Sequence, residues 1–77
     1  MSGATIQEWT DAQVCLSAER IIDVKYRVYR KGKKHFLEMH DAGDVPIHTL
    51  KLPDGMKLDR SSYEVLLRYI LLDVVAA

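Results

Sequence analysis

The sequence predicts an α+β fold, a small antiparallel sheet with helices packed on it. Three observations carry that expectation. Ile22, Val24, Tyr26 and Val28 alternate with Asp23, Lys25, Arg27 and Tyr29, the period of a half-buried strand. Lys31-Gly32 ends the pattern with a residue free to take the positive φ that tight hairpin turns require. Ser61, with Glu64 three positions later, opens a leucine-rich stretch, and that spacing is a capping-box signature before a helix.

The N-terminal third supports two readings. Thr10 or Asp11 can cap a helix over residues 11–20, with Val14, Ala18, Ile21 and Ile22 on one stripe. The rival is strand structure around 6–10 and 13–16, where Val14-Cys15-Leu16 is compatible with β structure. The helix is preferred, and residues 1–5 are expected to be flexible.

A hairpin over residues 22–40 follows. With Lys31-Gly32 at its tip, Val24 falls opposite Met39, Tyr26 opposite Leu37 and Val28 opposite His35. These pairs make one mostly apolar face. The other face pairs Asp23 with His40, Lys25 with Glu38, Arg27 with Phe36 and Tyr29 with Lys34. A turn at Asp41-Ala42-Gly43-Asp44 leads to a third strand, 45–52. Pro46 has no amide hydrogen to donate, so this strand belongs at a sheet edge. Pro53-Asp54-Gly55 breaks it.

The last element is a helix over about 62–75, capped by Ser61 or Asp59. Its apolar residues run wider than the single stripe of a surface helix, with only Glu64, Arg68 and Asp73 marking exposed positions. The excess needs a cover. Pairing of two copies through Leu67, Tyr69, Ile70, Leu71 and Val74 is the expected one. The full expectation is one domain over 1–77, ordered α-β-β-β-α, with a three-stranded meander. The alternative is a four- to five-stranded antiparallel sheet with one C-terminal helix.

The order α-β-β-β-α is also that of double-stranded RNA-binding domains, which carry a basic cluster at the start of their second helix. Here that stretch is Asp59-Arg60-Ser61-Ser62-Tyr63-Glu64, almost neutral, and the family is not assigned.

Composition bounds the function. The chain has 77 residues, 48% hydrophobic and 29% charged, as ordinary globular domains do. Its single cysteine, Cys15, forms no internal disulfide, and the opening residues have neither the basic nor the apolar run of a secretion signal. A cytoplasmic location is expected. The most apolar stretch, 65–77, is interrupted by Arg68 and Asp73 and is short of the roughly 20 residues that span a bilayer. No CxxC or HxxxH spacing is present, so neither a metal nor another cofactor is expected, and no catalytic motif points to an enzyme.

Charge is the one strong signal. Eleven basic side chains balance eleven acidic ones, yet seven of the basic ones lie within residues 20–34 with Asp23 as the lone acid. A basic ribbon in a neutral protein can act as a local docking surface for an acidic partner, or serve only to keep the hairpin soluble and its edges unpaired. The candidates are Arg30, Lys31, Lys33 and Lys34 at the tip, with Arg27, Tyr29 and Phe36 beside them for planar or stacking contacts. Trp9 suits either the core or an interface. The expected function is a small binding or regulatory module that docks on an acidic protein surface. Small neutral chains without motifs are frequent among inhibitors and adaptors of phage and mobile-element type. The alternatives are a nucleic-acid-binding domain using the hairpin and a structural subunit that assembles with itself.

Overall fold

A computed structural model describes residues 3–76, and the side chains of residues 4–73. Four strands, β1 (Gly3–Ser17), β2 (Arg20–Lys31), β3 (Lys34–Asp41) and β4 (Pro46–Lys51), precede one helix, α1 (Arg60–Ala76). The strands form one antiparallel sheet in the order β1-β2-β3-β4. This is the alternative arrangement, with four strands rather than three.

The helix expected over 11–20 is therefore replaced by the end of β1, a turn at residues 18 and 19, and the first residue of β2. Thr10, Ala12, Val14 and Leu16 turn inward while Asp11, Gln13, Cys15 and Ser17 are exposed, a strict period of two. The competing helical stripe used Ile21 and Ile22, which β2 claims. Pairing settles the matter, because β1 satisfies one edge of the twelve-residue β2 along most of its length. Residues 3–5, within the stretch expected to be flexible, begin β1, with Gly3 opposite Lys31. Residues 1 and 2 lie outside the described residues.

The β2–β3 hairpin forms, but two residues out from the expected register. Tyr26 lies opposite Met39 rather than Leu37, Val28 opposite Leu37 and Val24 opposite Asp41. The cause is the turn. Gly32 takes φ +65 as the first loop residue, and Lys33 follows with negative φ, the pattern of a type II′ turn with glycine first. A slip of two leaves every side chain on its expected face. In the β3–β4 pairing Leu37 lies opposite Leu50, and Pro46 lies on an edge strand as expected.

The sheet's inner face carries Val14, Val24, Tyr26, Val28, Leu37 and Met39, all buried. Tyr63, Leu67, Ile70 and Leu71 close over them from α1 at helical spacing. Each such aliphatic side chain contributes about 1.5–3 kcal/mol on burial. The cap of α1 is Asp59 rather than Ser61. Its carboxylate accepts the Ser62 amide at 2.9 Å, and its carbonyl accepts the Tyr63 amide. Asp59 gains from the positive end of the helix dipole, which a serine hydroxyl does not.

Candidate functional site

The helix covers one face of the sheet and leaves the other open. That outer face is built from the odd-numbered residues of β2 and the even-numbered residues of β3. The two-residue shift in register decides what meets there. Arg27 faces Glu38 rather than Phe36, Tyr29 faces Phe36 rather than Lys34, and Lys25 faces His40 rather than Glu38.

Tyr29 and Phe36 stack, with ring centroids 5.5 Å apart and planes inclined by 21°. The Arg27 guanidinium lies 5.2 Å from the Tyr29 ring centre and 5.2 Å from that of Trp9, within the range of cation–π attraction. Arg27 also binds Glu38, its Nε donating to Oε1 at 2.9 Å and Nη2 lying 2.8 Å from the same oxygen. Trp9 reaches this place because β1 carries one extra residue between the pairs Gln7–Val28 and Thr10–Tyr26. Glu8 and Trp9 share the position opposite Arg27, and such a bulge re-aims a side chain. The Trp9 ring extends past Arg27 to lie 4.5 Å from that of His40 on β3.

His40 sits between two carboxylates. Its Nε2 is 2.7 Å from Glu38 Oε2 and its Nδ1 is 3.2 Å from Asp44 Oδ1. Asp23, its expected partner, does not take part. Only an imidazolium donates through both nitrogens, so this geometry selects the charged ring. Desolvation opposes that charge, but the hydrogen bonds and charges of Asp44 and Glu38 outweigh it and raise His40 above its ordinary 6.5. Burial likewise works to raise the Glu38 carboxyl, yet the bonds from Arg27 and His40 hold it below its ordinary 4.5. The carboxylates occupy opposite edges of the ring, so the three groups cannot converge on one ion. Among the described residues no group of three or more His, Cys, Asp or Glu is placed to hold a metal. Asp44 is set in place by the turn, where Asp41 Oδ1 accepts the amides of Gly43 and Val45 and the Asp41 carbonyl accepts the Asp44 amide, and it takes the left-handed φ of 68 that aspartate tolerates.

Comparison with protein-family models, with curated proteins and with solved structures finds no match. The chemistry of this face must therefore speak for itself. Beyond the Tyr29–Phe36 stack, Arg30, Lys31, Lys33 and Lys34 are all exposed around the turn. Among the described residues none of the four makes an ion pair. At the far end of β2, Asp11 and Asp23 line an open depression of about 490 Å³ with Lys25 and Gln13. Along the face, unpaired cations stand at one end, aromatic rings and the Arg27–Glu38 pair between, and two acids with one lysine, Lys25, at the other.

Of the seven candidate docking residues, Arg27, Tyr29, Lys31, Lys34 and Phe36 lie on this face, Lys33 lies in the turn, and Arg30, at an even-numbered position of β2, lies on the other side of the hairpin tip. The structure adds Trp9, which sequence reasoning did not assign to this face, and gives Glu38 and His40, expected on it, partners other than the expected ones. The candidate dimer residues divide. Leu67, Ile70 and Leu71 are buried against the sheet of their own chain, while Tyr69 is 67% exposed. The Val74 side chain lies outside the described ones. No helix among the described residues is long and apolar enough to cross a membrane.

Proposed function

We propose that this chain is a small non-enzymatic binding module that docks on the acidic surface of another protein, in the manner of an inhibitor or adaptor. The observation that carries the reading is the row Trp9, Arg27, Tyr29 and Phe36 on the open sheet face, continued by four free cations at the hairpin tip. Tryptophan, tyrosine and arginine dominate the energetics of protein interfaces, because they bring large contact area with few rotors to freeze. The cations supply orientation and speed of encounter. Arg27, already neutralised by Glu38, enters an interface without leaving a charge unpaired.

A second reading has one observation in its favour. Stacked rings beside lysines on an open sheet also suit the bases and phosphates of a single strand. The acids at the other end of the face oppose a long polyanion, which places this reading second.

The test is capture from native lysate by the tagged chain, with and without nuclease, repeated with Arg30→Glu/Lys33→Glu. A captured protein that survives nuclease and is lost with the reversed charges is the expected outcome. Loss of the captured material on nuclease treatment would sink the reading in favour of nucleic acid.

A further inference from the structure

The outward side of α1 carries an apolar stripe that nothing among the described residues covers. Val65 is 55% exposed, Tyr69 67% and Leu72 42%, and with Arg68 they line a groove of about 290 Å³. Their spacings of four and then three residues are those of the d, a and d positions of a heptad, the seam along which two helices pack. Arg68, just before Tyr69, then stands at g, and Asp73, just after Leu72, stands at e. Both are exposed. Arg68 makes no ion pair among the described residues, not even with Glu64 one turn before it, which leaves the arginine free.

We infer that this face binds the same face of a second copy, with the two helices parallel. The orientation follows from the signs of the flanking charges. In a parallel pair the g residue of one helix meets the e residue five positions on in its partner. Arg68 then faces Asp73 of the other copy, and two-fold symmetry makes that contact twice. An antiparallel pair sets like flanks together, Arg68 against Arg68 and Asp73 against Asp73, and both contacts repel. The surface lies on the far side of the molecule from the outer sheet face, so pairing leaves that face free and does not depend on the proposed docking function. The apolar seam covers only about 10 Å of helix. The contact falls below the area of a stable dimer, and a dissociation constant on the order of 100 μM is expected.

Sedimentation equilibrium up to about 1 mM protein tests this, with circular dichroism to confirm that these exposed substitutions leave the fold intact. The wild type should associate. Arg68→Asp and Asp73→Arg should each weaken association about tenfold, since each turns two attractions into repulsions. The double reversal Arg68→Asp/Asp73→Arg should restore it. Tyr69→Arg should abolish it. A wild type that stays monomeric at about 1 mM overturns the inference. So do single reversals that leave association unchanged, as an antiparallel pair requires, or a double reversal that fails to restore it.

Discussion

Trp9, the chain's only tryptophan, holds its ring 4.5 Å from that of His40 across the width of β2. A protonated imidazole at that distance quenches indole emission, so the tryptophan reports the charge on the histidine. Fluorescence should fall as pH is lowered, with a midpoint above the ordinary histidine value of 6.5. His40→Gln should remove the transition. A midpoint below 6.5 would show that desolvation outweighs the two carboxylates.

The same triad sets a window of stability. His40 is raised by folding, so its contribution is fully present below 6.5 and is lost as pH rises through its folded value. Glu38 is lowered, so its contribution is present above 4.5 and is lost as pH falls through its folded value. Urea denaturation across pH should therefore place this pair's maximum between those two values. Glu38→Gln should flatten the profile on both sides. A profile that Glu38→Gln leaves unchanged would dissociate the triad from stability.

The core holds two hydroxyls without partners. Tyr26 and Tyr63 pack with ring centroids 6.0 Å apart, and neither hydroxyl finds a hydrogen bond among the described residues. Burial pushes the Tyr63 phenol above its ordinary 10.0, the cost appearing as resistance to charge. Tyr63→Phe keeps the ring and removes the stranded oxygen, and it should stabilise the fold by about 1 kcal/mol. Tyr69→Phe, on the exposed side of α1, should change stability by less than about 0.5 kcal/mol in dilute protein. Thermal melts of the two variants check the contrast, and a destabilised Tyr63→Phe would mean that its hydroxyl is satisfied.

Two leucines separate the faces of α1. Leu67 is fully buried and Leu72 is 42% exposed. Leu67→Ala should cost about 2–5 kcal/mol and Leu72→Ala less than about 0.5 kcal/mol in dilute protein, read from urea midpoints. Equal losses would mean that the helix is rotated from the orientation described.

Generic nucleic acid should bind weakly. The tip cations lie at one end of a face whose other end bears Asp11 and Asp23, and a chain of net charge zero attracts a polyanion only locally. Fluorescence anisotropy with random single-stranded and duplex oligonucleotides at physiological salt should give dissociation constants above about 1 μM. Tighter binding with a steep log–log salt dependence would reverse the order of the two functional readings.

Local pattern determined a good deal of this protein. The alternation from Ile22 to Val28 assigned each residue of the hairpin to its face, and that assignment survives a register shift of two because the strand repeats every two residues. The missing amide of Pro46 placed β4 at an edge, and the crowding of basic residues into 20–34 marked the cationic tip. These properties are carried by neighbours in the chain. Tertiary structure decided the rest. Whether residues 11–20 form helix or strand depended on the edge of β2, a partner that periodicity within 11–20 does not contain. Which cation meets Glu38 depended on whether Gly32 opens or closes its turn. The meeting of Trp9, Arg27 and His40 depended on one extra residue in β1, which carries a ring from one strand across a second to a third. On α1, separating Leu67 from Leu72 required knowing how far a four-stranded sheet reaches. A helix's own sequence specifies that it has an apolar surface, but the area it is packed against decides how much of that surface stays open to another molecule.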